Sequence, residues 1–213
     1  MIHAYDRVYL AKAQKTMARM LDFAVHELCY DIAAFFDLFL VSSYDKRFES
    51  GDCSVIAGMS GVELAFCVLE ESSTSIKRFK PRYSIDRSEE YWTGWALAYY
   101  QWYTAIPFAQ IIQCVPIKTI HSLYSPYHEM DIRQFVDRMN ELYKEAAPDT
   151  NLQRIRKQAN LTQAQLSEIS GVSLRSLQDY EQRKKNINKA QAETILMLAQ
   201  SLCCNMADLM ERI

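Results

Sequence analysis

The sequence predicts an all-α protein made of a helical N-terminal domain and a small helical C-terminal domain. Three observations carry that prediction. Glycine and proline number only 5 each in 213 residues, too few turn formers for a sandwich, a barrel or a glycine-fingerprinted nucleotide fold. Apolar residues recur at three- and four-residue steps, the period of a helix buried on one face. Serine, threonine or asparagine is repeatedly followed three residues later by Glu or Gln, the pattern that opens a helix. The length suits one medium domain plus a small one. The 49% hydrophobic and 23% charged content is that of a globular chain.

The elements follow in order. Leu10, Ala13, Met17, Met20, Leu21, Ala24 and Leu28 form the amphipathic stripe of a first helix. Ile32, Phe35, Phe36, Phe39 and Leu40 mark a second. Gly51, Gly58 and Gly61 belong to the one glycine-bearing loop of note. Val62 to Leu69 is a third helix, with Ser60 and Glu63 as its capping box. Residues 72–88 read as a polar loop with short turns. Ser88, followed by Glu89 and Glu90, opens a fourth helix that runs to about Ala105. Pro107 and Pro116 each suit the first turn of a further short helix. Residues 127–147 form the last helix before a linker.

From Tyr91 to Ile117 there is no charged residue, a stretch long enough to span a bilayer. Gln101, Gln110 and Gln113 lie inside it, however, and Pro107 and Pro116 interrupt it. Tyr99, Tyr100 and Tyr103 fall in the middle rather than at the ends, where a membrane segment places its aromatic residues. The stretch therefore predicts two buried helices, and the chain is expected to be cytoplasmic and to need no membrane. Six cysteines show no CxxC pair and no Cys/His metal spacing. Without a signal peptide they read as reduced thiols. Neither a metal nor a cofactor is expected.

A boundary falls at Ala146-Ala147-Pro148-Asp149-Thr150, and the charge balance changes there. Overall the chain is near neutral, at −2. Residues 148–213 hold nine basic and seven acidic side chains, a net +2, which leaves −4 for the rest. Between Leu152 and Lys189 there are eight basic and three acidic residues, a net +5. The positive charge is thus concentrated in the C-terminal piece. The predicted domains are 1–147 and 151–213.

Residues 161–184 read LTQAQLSEISGVSLRSLQDYEQRK. Thr162 with Gln165 is a capping box that starts a short helix whose apolar positions are Ala164, Leu166 and Ile169. Gly171 stops it in the left-handed conformation that ends many helices. Ser173 caps a second short helix after a tight turn. Leu177 and Tyr180 face the core with Val172, while Leu174, Arg175, Gln178, Asp179 and Gln182 point outwards. Arg183, Lys184 and Lys185 follow as a basic tail. Two short helices joined by a tight glycine turn form a helix-turn-helix. Leu152, Ile155 and Arg156 lie on a preceding helix. Asn188 with Gln191 is a third capping pair, opening a helix with the stripe Ala192, Ile195, Leu196, Ala199 and Leu202. Asn205 caps a final short helix ending near Met210.

These five helices resemble the Cro/repressor-type (Xre-like) DNA-binding domain, and the C-terminal domain is expected to be lambda-repressor-like. The Leu-Thr-Gln-Ala start, the Gly171 turn, the Tyr180-Glu181 pair and the following helix all fall in register over residues 151–211. Two positions depart from the family pattern. Ser167 replaces the usual alanine, and Arg183 stands where a glycine usually follows the recognition helix.

The resemblance implies sequence-specific binding of double-stranded DNA by a transcriptional regulator, not an enzyme. The second helix of the motif would enter the major groove with its N-terminal residues at base edges. Arg175 is the first base reader, since bidentate Arg–guanine contact is the commonest specific one. Leu174 would touch a thymine methyl. Gln178 and Asp179 lie a turn further along, and Asp179 would accept from a cytosine amine or hold Arg175 in place. Gln163, Ser173, Arg183, Lys184 and Lys185 are the expected phosphate contacts. Arg156 and Glu181 match positions that form a structural ion pair. One such domain makes few phosphate contacts, so a homodimer on a two-fold operator is expected, held mostly by residues 1–147.

The N-terminal domain carries less information. Trp92, Trp95, Tyr99, Trp102 and Tyr103 crowd one helix, either as core or as a ligand or partner surface. His128-Glu129-Met130-Asp131 cannot bring three ligands to one point on a helix. No nucleophile motif, phosphate loop or zinc signature is present. Three readings stay open for this domain. It binds a protein partner, such as the toxin of a small operon for which the chain would be the antitoxin. It senses a small molecule in an aromatic pocket. Or it is an unrecognised enzyme tethered to DNA.

Overall fold

A computed structural model describes residues 3–72, 77–82, 87–146 and 149–211. The fold is all-α, and among the described residues there is no strand. The chain divides into two compact units, Met1–Ala146 and Ala147–Ile213. Among the described residues no helix is long and apolar enough to cross a membrane.

The N-terminal unit holds α1 (Leu10–His26), α2 (Ile32–Val41), α3 (Ser43–Glu49), α4 (Cys53–Ile56), α5 (Gly61–Glu71), α6 (Glu89–Thr104), α7 (Phe108–Cys114), α8 (Ile117–Ser122), α9 (Tyr124–Tyr127) and α10 (Ile132–Ala146). Its axis is α1, which packs along α6 and against α5. The predicted stripe understates how deeply α1 is buried. Ala18 and Phe23, outside the stripe, are also fully buried, and only a narrow polar strip with Lys12 and Lys15 faces solvent. Two glycines explain the close fit. A Cβ at Gly61 would fall on the Thr16 carbonyl oxygen and within 2.5 Å of the Met20 nitrogen. A Cβ at Gly94 would come within 2.7 Å of the Met17 carbonyl oxygen. Both helices that flank α1 therefore touch its backbone where only glycine fits.

A second cluster consists of rings. Phe36, Phe39, Phe48 and Phe108 meet mostly edge to face, with centroids 5.4–6.2 Å apart. The capping box of Ser60 and Glu63 forms as predicted, and the Ser88 hydroxyl accepts from the Tyr91 amide. The Ser88 hydroxyl also donates to Asp22, which pairs with Arg19, tying the start of α6 to α1. Two carboxylates stand out by their partners. Glu90 accepts from His26 and His121 at 2.8 and 3.2 Å. Asp45 is buried with one carboxylate oxygen unpartnered, and burial with the nearby Glu49 charge pushes its pKa up to about 6.

Several expectations change in detail. The last helix of this unit begins at Ile132, not Tyr127. Asp131 accepts from the Arg133 amide there, and the separate turn α9 precedes it. Pro107 and Pro116 occupy the cap positions of α7 and α8 rather than their first turns. Residues 77–82, within the expected polar loop, are neither helix nor strand, while 73–76 and 83–86 lie outside the described residues. So do Ala147 and Pro148 of the expected linker.

The C-terminal unit holds α11 (Asn151–Gln158), α12 (Gln163–Ser170), α13 (Leu174–Glu181), α14 (Ala192–Ser201) and α15 (Met206–Leu209). Leu152, Leu166, Leu177, Ile195 and Leu198 centre its core. The sequence placed Ala164 and Ile169 on the apolar face of α12, but both are exposed. Ile169 is 60% exposed, and Leu166 alone carries that face. Leu196 is likewise exposed and Leu198 takes the buried position. Asn188 and Gln191 do not cap α14 as a pair. Gln191 sits at the cap without a side-chain bond, and Asn188 belongs to a 3-10 turn, Ile187–Lys189. There its amide exchanges two hydrogen bonds with the Glu211 backbone.

Candidate nucleic-acid interface

The site begins with how α13 is set. Thr162 and Gln165 form their capping box, which fixes the first turn of α12. Gly171 follows at φ +70°, and the Ser173 hydroxyl accepts from the Ser176 amide to open α13. The Ser167 hydroxyl donates to the Val172 carbonyl at 2.7 Å, across the turn. The serine that replaces the family's alanine thus adds a bond that closes the turn.

The far end of α13 is clamped. Arg156 on α11 meets Glu181 in a fork, with Nε to Oε1 at 2.6 Å and Nη2 to Oε2 at 3.0 Å. Arg156 also donates to the Leu161 carbonyl, and Gln163 donates to Glu181 Oε2 at 2.7 Å. Both charged groups are buried, at 8% and 6% exposure. One carboxylate therefore gathers α11, the start of α12 and the end of α13. Its hydrogen bonds raise the Arg156 pKa further, so the guanidinium stays charged at any working pH.

Between these two anchors lies a polar outer face. Leu174 and Arg175 are exposed on the first turn of α13, with Leu174 at 39%. Gln178 and Asp179 are half-buried one turn on. Asp179 is held by Lys185 at 2.9 Å, and that contact keeps its carboxyl below the usual range. Its partner is therefore Lys185 and not Arg175. Ser173, Lys184 and Lys185 are all exposed. Arg183 takes φ +52°, so the loop after α13 turns through the left-handed region with a side chain in place. That side chain reaches Glu211 at 3.4 Å. Of the expected phosphate contacts, Ser173, Lys184 and Lys185 are exposed, the Lys185 ammonium resting on Asp179. Gln163 and Arg183 direct their polar ends at protein carboxylates.

Sequence reasoning missed the role of Glu211. Its carboxylate accepts from the Asn151 amide at 2.7 Å and its backbone holds Asn188. It joins the start of α11, the 3-10 turn and Arg183. No local pattern announces a residue whose partners lie 60, 23 and 28 positions away.

The aromatic set of the N-terminal unit is divided by the fold. Trp102 is buried, stacks on His3 at 3.9 Å and donates its indole N–H to the Tyr5 carbonyl. Trp92 packs edge-on against Tyr124 and Phe135. Tyr99 and Tyr103 stack on each other at 6.1 Å, and Tyr99 also leans on Trp102. Trp95 is half-buried, and its carbonyl accepts from Gln14. Among the described residues no three His, Cys, Asp or Glu side chains group as metal ligands.

The capped helix pair, the tight glycine turn and the clamp on the second helix define a helix-turn-helix. The helix-turn-helix family matches residues 152–200, which span α11 to most of α14 and leave the N-terminal unit outside the match. No curated protein and no solved structure matches the chain.

Proposed function

We propose that the chain is a transcriptional regulator that reads duplex DNA with the exposed first turn of α13. The observation that carries this reading is the clamp of Arg156 and Gln163 on Glu181. It fixes the end of α13 and leaves Leu174 and Arg175 at the other end facing solvent. A side chain that reads a base edge must sit on a rigid element. Arg175 is the first base reader and Leu174 a thymine-methyl contact. Gln178 and Asp179 flank them, the latter oriented by Lys185. Ser173 and Lys184 face phosphates, while Lys185 is engaged with Asp179.

The chain acts as a homodimer whose recognition helices lie about one DNA turn, ~34 Å, apart on a two-fold operator. The N-terminal unit supplies the dimer contact. Neither a toxin partner nor a small-molecule pocket has an observation in its favour, and the rings of α6 are largely spent on packing.

A genomic selection with the full chain at low salt tests the reading. A recovered two-fold motif supports it, and no enriched duplex ends it. Arg175→Ala should cost about 1–3 kcal/mol and relax one base position. Light scattering tests the assembly. A mass near 24.8 kDa at micromolar concentration rules out a preformed dimer.

A further inference from the structure

The N-terminal unit is acidic overall, yet residues 77–82 read Lys-Arg-Phe-Lys-Pro-Arg. Between Ser72 and Ser88 there are five basic residues and one acidic residue. A charge run on a loop is usually only solvated, but this one is fastened. Phe79 packs on Phe23 and Phe66, each at 5.7 Å. Arg78 forms a fork on Glu70 at 2.7 and 2.8 Å. The Arg82 amide donates to Glu27 at 2.7 Å, and Arg19 donates to the Arg82 carbonyl. The segment is thus pinned to α1 and α5 as a strap.

The fastening engages two of the nearby carboxylates. Glu70 is taken by Arg78, and Glu27 by Arg19 and the Arg82 backbone. Lys77, Lys80 and Arg82 stay exposed. Lys15 and Lys12 lie one and two turns before Arg19 on the same face of α1, both exposed, and extend the positive surface. The recognition unit, by contrast, commits Arg156, Arg183 and Lys185 to its own carboxylates. A duplex presents one negative charge per ~1.7 Å, and affinity rises with each phosphate neutralised.

We propose that the strap of Lys77, Lys80 and Arg82 is a second DNA contact, binding the phosphate backbone without reading sequence. The inference rests on the DNA-binding reading above. The strap contributes affinity and salt dependence, while α13 contributes the choice of site.

The test uses the full chain and the operator duplex recovered from the selection, with a mixed-sequence duplex of equal length beside it. Binding is followed by fluorescence anisotropy across salt concentrations. The combined variant Lys77→Ser, Lys80→Ser, Arg82→Ser keeps the backbone bonds and Phe79, and unchanged circular dichroism verifies its fold. The slope of log affinity against log salt should become shallower by about 2–3, at ~0.9 per phosphate contact. Affinity should fall by roughly the same factor on both duplexes. Arg175→Ala, tested alongside, should instead lower the preference between them. An unchanged slope in the triple variant, with the parent binding normally, overturns the strap and leaves the α13 reading intact. Loss of RNA binding or of an acidic protein partner with the duplex slope unchanged also overturns it. If the parent binds neither duplex at any salt, both readings fall together.

Discussion

The N-terminal unit keeps its largest buried side chains as rings and methionines, including Phe23, Phe35, Phe36, Phe39, Phe48, Tyr100 and Phe108. Among the described residues the C-terminal unit buries ten hydrophobic residues with no ring among them: Leu152, Leu166, Val172, Leu177, Ile187, Ile195, Leu198, Ala199, Leu202 and Leu209. A small domain buries a smaller share of its surface, so apolar burial gives it less. The C-terminal unit answers with local devices. Thr150, Thr162 and Ser173 cap successive helices, Asn205 boxes with Asp208, and a forked ion pair sits inside. The N-terminal unit instead brings helices into backbone contact at Gly61 and Gly94. Both units cap their helices, but the C-terminal unit adds a buried forked ion pair while the N-terminal unit adds rings and glycine-permitted backbone contact.

The largest test of this contrast is Glu181→Ala. It leaves the Arg156 guanidinium buried without its carboxylate and strands the Gln163 amide, at a cost of about 3–5 kcal/mol. All three tryptophans, Trp92, Trp95 and Trp102, lie in the N-terminal unit. Tryptophan fluorescence should therefore report an unaltered transition while hydrogen exchange in α11 to α13 speeds up. Joint replacement by Arg156→Met and Glu181→Leu should recover most of the loss. A shift in both probes would mean that the units unfold together.

Next is the buried carboxylate of the N-terminal unit. The Asp45 pKa is raised from 3.8 to about 6 in the fold. The folded state therefore holds the proton more tightly than the unfolded chain, and stability present at low pH is lost as pH rises from about 4 to about 6. At ~1.4 kcal/mol per pKa unit this amounts to roughly 2–3 kcal/mol. Asp45→Asn should raise stability at pH 7.5 and leave it little changed at about pH 3.5, below both pKa values. Denaturant titrations read by tryptophan fluorescence at the two pH values measure the difference.

Gly61→Ala should cost about 1–3 kcal/mol, because the new methyl meets backbone that cannot turn aside. Thermal unfolding followed by tryptophan fluorescence measures it. The smallest effect belongs to Gly171→Ala, where a Cβ finds only the Met197 methyl at 3.6 Å and the penalty is the left-handed backbone alone. About 1 kcal/mol is expected, seen by circular dichroism and not by tryptophan.

What the sequence made legible is what short-range chemistry decides. The boxes at Ser60–Glu63 and Thr162–Gln165, the Gly171 stop and the Ser88 cap each involve residues within a turn of one another. Arg156 and Glu181, 25 residues apart, were found through the family resemblance, and their fork is in the structure. Positions set by distant packing were not legible. Leu196 and Leu198 are equally apolar, and only the surface facing α14 determines which is buried. The Gln163 amide has two uses, a phosphate or Glu181, and its choice depends on where the end of α13 arrives. The strap at 77–82 reads as a polar loop until Phe79, Glu70 and Glu27 are seen to hold it.

Helices in this chain often stop in the left-handed conformation without glycine. Among the described residues Cys29, Ala105, Asn160, Arg183 and Cys203 all have φ between 52° and 59°. The low glycine count thus conceals turns rather than excluding them. It also leaves a reserve of heat tolerance in the molecule. Ala105 and Cys203 bear the left-handed penalty, and glycine at each should return up to ~1 kcal/mol. At that gain the shift is about 2–4 °C in melting temperature for the larger unit and about 4–8 °C for the smaller. A more heat-resistant form of the protein lies two substitutions away, neither of them on the face of α13 or on the strap.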